Sequence, residues 1–233
     1  MMPRAYGGTG IRWALAATAL VLKSCTQLPS GPAAEGLYPV RGVTLVTWTR
    51  NGYSSAEAEA ALARIRSTGA NRVAVLMTYY QDHRSSSSVY EDPQRTPSLA
   101  SLCHIILHAR QLGFSTALKP HVDVADGSWR GTISPDDPVH WFSSYGALLL
   151  PLASLADSLG VACFIIGTEL GETVNQADRW RELILRTRER FSGSLTYAAS
   201  WDEAQRIPFW RELDVVGIDF YAPLAIRSHP SRP

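Results

Sequence analysis

Glu169 closes the run Phe164-Ile165-Ile166-Gly167-Thr168-Glu169-Leu170. The apolar stretch from Val161 to Ile166 reads as a buried strand. A carboxylate placed where such a strand stops is held by rigid backbone yet faces open space, the position at which parallel α/β barrels present their chemistry. A carboxyl group held there can give or take a proton. The preceding strand, Thr116-Ala117-Leu118-Lys119-Pro120-His121-Val122-Asp123, also ends in polar residues. Lys119, His121 and Asp123 alternate along it and therefore share one face. They can bind hydroxyl groups through charge-assisted hydrogen bonds, or they can form a salt-bridge network at the sheet end. Asp219 and Tyr221, at the end of a later apolar run, face the same mouth by the same alternation. His104 and His108 are spaced like a metal pair on a helix, but no acidic third ligand accompanies them in the sequence, and they read as structural.

The elements that must hold these residues alternate between strand and helix. Strands are expected at 43–48, 72–79, 115–120, 162–166, 195–199 and 215–220. Helices are expected at 54–67, with a Ser cap and an acidic first turn, and at 97–112, 138–159, 177–191 and 207–213. Gly69, Gly113, Gly160 and Gly193 follow the first four helices as stops. This alternation predicts parallel strands joined by right-handed crossovers. Near-continuous apolar strands fit a sheet covered on both faces. Long loops rich in Ser, Asp, Trp and Tyr follow the strands, while short Gly-based loops precede them. Function therefore belongs at the carboxyl ends of the strands. After the first strand stands Trp48-Thr49-Arg50-Asn51-Gly52-Tyr53 rather than a Gly-rich phosphate fingerprint, which argues against a dinucleotide fold.

Composition supports one domain with a real core: 233 residues, 45% hydrophobic and 18% charged. With 22 basic and 21 acidic residues the net charge is +1, so no electrostatic footprint for nucleic acid exists. Arg4 and Arg12 precede an apolar stretch at 13–22, too short for an ordinary membrane helix and suited to a secretory signal. It runs into Leu22-Lys23-Ser24-Cys25, which resembles a bacterial lipobox. The expectation is a signal peptide at 1–25, lipidation at Cys25 and a polar tether at 26–40. The protein is then an exported, membrane-anchored lipoprotein, or a secreted protein if Cys25 is not modified. Cys103 and Cys163 read as buried thiols with neither disulfide nor metal spacing.

Several blocks carry a family resemblance. They are Leu118-Lys119-Pro120-His121-Val122-Asp123, Gly127-Ser128-Trp129-Arg130-Gly131, Trp141-Phe142-Ser143-Ser144-Tyr145 and Ile166-Gly167-Thr168-Glu169-Leu170. Leu195-Thr196-Tyr197-Ala198-Ala199 with Trp201 follows, then Leu213-Asp214-Val215-Val216-Gly217-Ile218-Asp219-Phe220-Tyr221. In this order the chain resembles the (β/α)8 TIM-barrel glycoside hydrolases of the mannanase-containing family 113. The resemblance implies an α/β barrel domain over 41–226 with about six of the eight βα units, followed by an irregular tail at 227–233. It implies a retaining glycosidase acting on a β-linked polysaccharide or oligosaccharide such as β-mannan, with Glu169 as general acid/base. The family's nucleophile is a second Glu ending the seventh strand. The expectation is that this chain, a C-terminally truncated member, stops before it. Glu172 shares a loop with Glu169 and cannot face it across a sugar.

The implied sugar-binding set is Trp48, Lys119, His121, Asp123, Trp129, Arg130, Tyr197, Trp201, Asp219 and Tyr221. The Trp rings can stack on pyranose faces or pack as core, and Arg130 can hold a sugar hydroxyl or a loop carboxylate. No metal or organic cofactor is expected, because two carboxylates suffice for the chemistry. The expected partner is carbohydrate, with membrane contact only through the lipid anchor and no nucleic acid or protein partner. The alternatives are a non-catalytic saccharide-binding lipoprotein and an inactive truncated product.

Overall fold

The computed structural model describes residues 12–15 and 40–221. Its strands are Arg12–Leu15 (β1), Gly42–Leu45 (β2), Arg72–Gln81 (β3), Ser115–Val124 (β4), Cys163–Thr168 (β5), Ser194–Ser200 (β6) and Val215–Asp219 (β7). They form one parallel sheet in the order β1-β7-β6-β5-β4-β3-β2. From β2 to β7 each strand pairs with the next in sequence, the singly wound pattern of a barrel rather than the reversal of a doubly wound sheet. The sheet curls: Lys119 Nζ of β4 reaches Asp219 Oδ2 of β7 at 2.9 Å, although β5 and β6 lie between them in the sheet. Six consecutive parallel strands thus build part of a (β/α) barrel. The backbone of Arg12–Leu15 adds beside β7, Arg12 opposite Val215 and Leu15 opposite Ile218. The rest of the expected leader and tether, Cys25, and the tail at 227–233 lie outside the described residues.

Four helices cover the outer face: Ala56–Ser67 (α1), Leu99–Gln111 (α2), Pro138–Ser158 (α3) and Ala177–Arg188 (α4). Local chemistry starts three of them. Ser55 accepts from the Ala58 amide at 3.2 Å, Ser98 from Ser101 at 3.2 Å, and Asp137 from His140 at 3.1 Å with Pro138 in the first turn. Gly69 and Gly113 adopt φ of 82° and 81° just beyond α1 and α2, a conformation a side chain would resist. The main core lies between the sheet and the helices and holds Trp141, Tyr145, Phe164, Trp180, Tyr197 and Phe209. A second, smaller cluster of Ala117, Cys163, Ile165 and Ala198 fills the lumen side.

Several expectations shift. The helix expected at 207–213 is replaced by one short 3-10 turn, Trp210–Glu212, with another, Ala204–Arg206, just before it. The first barrel strand stops at Leu45 rather than Trp48, and α4 stops at Arg188. Cys163 is buried, and burial pushes its thiol up to about 11. Cys103 is only half-buried. His104 does have an acidic companion: Glu59 of α1 lies 2.8 Å from its Nε2, and the His104 and His108 rings stack. Among the described residues no group of three His, Cys, Asp or Glu side chains is arranged to hold a metal ion.

Candidate active site

Glu169 stands one residue past β5 with φ of 51°, the one non-glycine residue with positive φ among those described. Such a backbone costs on the order of 1–3 kcal/mol and persists only where the surroundings over-determine it. Here they do. The Glu169 amide donates to Ala198 O at 2.8 Å, and the Leu170 amide donates to the Tyr197 hydroxyl at 2.6 Å. The register between β5 and β6 shifts just before this turn, between Ile165 and Thr168. The carboxylate is 13% exposed and reaches Arg130 Nη1 at 3.2 Å.

Arg130 comes from the 3-10 turn after β4 and also binds the Asp123 carboxylate through Nε and Nη2. One guanidinium therefore bridges the ends of β4 and β5. His121 lies one inward position below Asp123, and its buried Nε2 has no hydrogen-bond partner. Burial first, then the charges of Arg130 and Lys119, pushes its pKa down to about 2, so the ring is neutral near neutral pH. Lys119 is deeper still, paired to Asp219, with side-chain exposures of 14% and 8%. The alternation read from the sequence thus places Lys119, His121 and Asp123 on the lumen face. Asp219, bound to Lys119, is part of the floor of the mouth.

Trp129 and Trp201 are exposed beside this mouth, and Trp48 and Tyr221 are exposed at the ends of β2 and β7. Trp129 folds its indole over Gly131, where a Cβ would collide with the ring. Tyr197 requires a correction. It is fully buried on the outer face of β6, packed against Trp180, Phe209 and Trp210. It supports the Glu169 turn from behind and cannot touch a ligand in the mouth.

Sequence reasoning missed Glu203. It sits in the loop after β6, 1% exposed, and burial pushes its carboxyl up to about 7, with the Glu169 charge adding to the rise. The signal available was an acidic residue close behind a strand end, in Trp201-Asp202-Glu203. Glu172, by contrast, is exposed in the 3-10 turn Gly171–Thr173.

The arrangement is a carboxylate on a constrained turn, flanked by a cation, a neutral imidazole and exposed indoles. Solved structures share the fold that carries it. One described as a complex of a GH113 beta-1,4-mannanase superposes with a TM-score of 0.74 at 27% identity, covering 77% of this chain and 61% of that one. A second, the GH113 beta-mannanase AaManA from Alicyclobacillus acidocaldarius in complex with ManMIm, has a TM-score of 0.74 at 26% identity over 77% and 60% of the two chains. The chain thus spans about three-fifths of the length of these structures. No curated protein matches it significantly. The model of Glycoside Hydrolase Family 113 matches residues 44–231, and the chain belongs to that family.

Proposed function

We propose that this protein belongs to a retaining glycosidase that hydrolyses β-1,4-linked mannan, with Glu169 as the general acid/base. The observation that carries the reading is the Glu169 turn: a carboxylate at a barrel strand end, held in a strained backbone by two amide-donated hydrogen bonds, to Ala198 O and the Tyr197 hydroxyl, and by one guanidinium. Strain kept at a strand end is expected where geometry matters for reaction. The substrate follows from the two solved relatives described as mannanases.

In this reading Glu169 protonates the glycosidic oxygen as the bond breaks and later takes a proton from the attacking water. Neutral His121 and the Asp123 carboxylate hydrogen-bond sugar hydroxyls. Trp129 and Trp201 stack on pyranose rings, and Lys119 holds Asp219 in the floor of the mouth. Retaining chemistry also needs a nucleophilic carboxylate about 5–5.5 Å from the first. Among the described residues, Asp123 shares Arg130 with Glu169, Asp219 is paired to Lys119 and Glu203 is buried, so none of the three is free to attack an anomeric carbon. The attacking group is assigned to a residue outside 40–221. That same observation favours a second reading, saccharide binding without hydrolysis. Export and anchoring through Cys25 belong to the proposal as well, and labelling with radioactive palmitate tests them.

The deciding experiment assays β-1,4-mannan hydrolysis by the chain and by its Glu169→Gln variant, with calorimetry on mannooligosaccharides in parallel. Turnover that falls about 10²–10⁴-fold in the variant supports the acid/base role. Turnover unchanged in the variant overturns it. Binding with no turnover in either protein establishes the second reading.

A further inference from the structure

Glu203 is a buried carboxyl that the proposed reaction does not use. It is 1% exposed, and neither carboxyl oxygen has a hydrogen-bond partner. Its surroundings tie it to the Glu169 turn. The Tyr197 hydroxyl accepts the Leu170 amide at 2.6 Å, which leaves its own proton to be donated elsewhere. The carboxyl beside it is that of Glu203, whose two buried oxygens both lack a donor. Gly171 is the second contact. A Cβ there would stand 2.5 Å from Glu203 Oε2 and 3.4 Å from Gly131 O, so the carboxyl rests directly against the backbone that follows Glu169. A glycine at 171 is what lets it approach.

We propose that Glu203 is a positioning residue for Glu169: its carboxyl receives the Tyr197 hydroxyl, holds that hydroxyl under the Leu170 amide, and so fixes the left-handed turn from which Glu169 projects. The inference rests on the reading of Glu169 as acid/base and gives that reading a support behind the site. The proposed relay runs from amide to phenol to carboxyl: the first step is the 2.6 Å bond from the Leu170 amide, and the second joins a buried hydroxyl proton to a carboxyl that lacks a donor. Replacing the carboxyl by an amide keeps an acceptor oxygen, whereas replacing it by a methyl group leaves the phenol proton buried and unpaired, a costly state.

A charge effect accompanies the geometry. Burial and the neighbouring Glu169 raise Glu203 to about 7, against the lowering influence of the Tyr197 hydroxyl, the Ser200 backbone and Arg206. These are the groups that face it, Tyr197 and Ser200 from β6, Arg206 from the 3-10 turn Ala204–Arg206 and Glu169 from the turn after β5. Near neutral pH the support therefore changes charge beside Glu169.

The test uses the full chain and needs no turnover. Amide hydrogen exchange at Leu170 is measured in the wild type and in Glu203→Ala, Glu203→Gln and Tyr197→Phe. Carbon-13 titration of the glutamate carboxyls is followed in the wild type, Glu203→Gln and Glu169→Gln. Exchange at Leu170 is expected to rise about tenfold or more in Glu203→Ala and Tyr197→Phe, the factor for a hydrogen bond of typical net strength. It is expected to stay near wild type in Glu203→Gln, the near-isosteric variant that keeps the fold if the Ala variant does not. One carboxyl is expected to titrate near 7, to vanish in Glu203→Gln and to move down in Glu169→Gln. Unchanged Leu170 exchange in a folded Glu203→Ala or Tyr197→Phe overturns the proposal, as does a Gln variant that exchanges as fast as the Ala variant. A carboxyl near 7 that ignores Glu169→Gln removes the electrostatic link. Where hydrolysis can be measured, Glu203→Ala is expected to lower kcat with little change in KM. An intact relay in a chain that does not hydrolyse mannan supports the positioning inference while the proposed function fails. A broken relay in an active chain overturns the inference alone.

Discussion

Arg130 Nη1 stands 3.2 Å from Glu169 Oε2 while the other edge of the same guanidinium holds Asp123. Two carboxylates from neighbouring strand ends are thus spaced by one planar group whose fork sets both the distance and the plane. The three side chains are mostly buried, at 20%, 25% and 13% exposure, so solvent screens the arrangement weakly.

The fork geometry predicts that Arg130→Lys is not conservative. A lysine keeps the charge but cannot hold both carboxylates in one plane, so the loss should fall on the reaction rather than on folding. In a mannan-hydrolysing form of the protein, kcat is expected to drop about 10- to 100-fold, the range for a small misplacement of a reacting group. Arg130→Met removes the charge as well, leaves two like carboxylates side by side, and is expected to cost about 1–3 kcal/mol of stability. Steady-state kinetics and urea unfolding of the two variants check the pair. Equal kcat in Arg130→Lys and the wild type would refute the positioning role.

Stability near the site should depend on pH through two groups that act oppositely. His121 is pushed from 6.5 to about 2, so below 6.5 the unfolded chain takes up a proton that the folded chain does not. Its contribution to stability is complete above 6.5 and shrinks as pH falls toward 2. Glu203 is raised from 4.5 to about 7, so between those values the folded chain holds the extra proton. Its contribution is complete below 4.5 and is lost as pH rises through 7. From 4.5 to 6.5 the slopes oppose, each at most about 1.4 kcal/mol per pH unit. Glu203→Gln is expected to make stability climb more steeply with pH across that window, and His121→Asn to make it climb less or fall. Urea midpoints at the two ends of the window decide it. Parallel profiles for all three proteins would show that neither group is shifted as its burial implies.

The barrel strands and most helices were readable because each rests on a local cause. Apolar runs preceded by glycine mark β3 to β6, and Ser55, Ser98 and Asp137 mark helix starts through bonds made within three residues. Alternation placed Lys119, His121 and Asp123 together. Applied to β6, the same rule sets Tyr197 on the face opposite Thr196 and Ala198, behind the site, where it is found. The failures have non-local causes. Residues 207–213 carry apolar residues at helical spacing, but Phe209 is drawn into the core beside Trp180, and only short turns form around it. Val46 and Trp48 continue an apolar run yet are exposed, and among the described residues no strand pairs with them. Glu203 is pushed up by burial and by the Glu169 charge, with its carboxyl against Gly171 of a loop far away in sequence, and no spacing in the chain announces that.

Trp129 lies against Gly131 in a way that makes the glycine part of the aromatic platform. A Cβ at 131 would fall on the indole, so Gly131→Ala must displace the ring while leaving the tryptophan present. Trp129 is 51% exposed, and its removal is expected to change stability by less than about 0.5 kcal/mol. Both Trp129→Ala and Gly131→Ala are expected to weaken mannooligosaccharide binding about 3- to 10-fold, the range for one lost aromatic stack. Titration calorimetry measures it. Full affinity in Gly131→Ala would mean that the ring position does not matter to the ligand.

The φ of 51° at Glu169 is a cost that can be isolated. Glu169→Ala and Glu169→Gly both delete the carboxylate and its bond to Arg130, so those losses cancel in a comparison. What differs is the backbone. Alanine keeps a Cβ crowded against the following carbonyl in the left-handed region, a cost of about 1–2 kcal/mol, whereas glycine adopts that region freely. Glycine also loses more chain entropy on folding, which takes back roughly 0.5–1 kcal/mol. The Gly variant is therefore expected to be the more stable by up to about 1.5 kcal/mol, although both lack the proposed acid/base. Urea unfolding of the two proteins under one condition gives the difference directly. An Ala variant at least as stable as the Gly variant would show that the turn relaxes once the carboxylate is gone. The strain would then be imposed by the Arg130 contact rather than by the amide bonds to Ala198 and Tyr197.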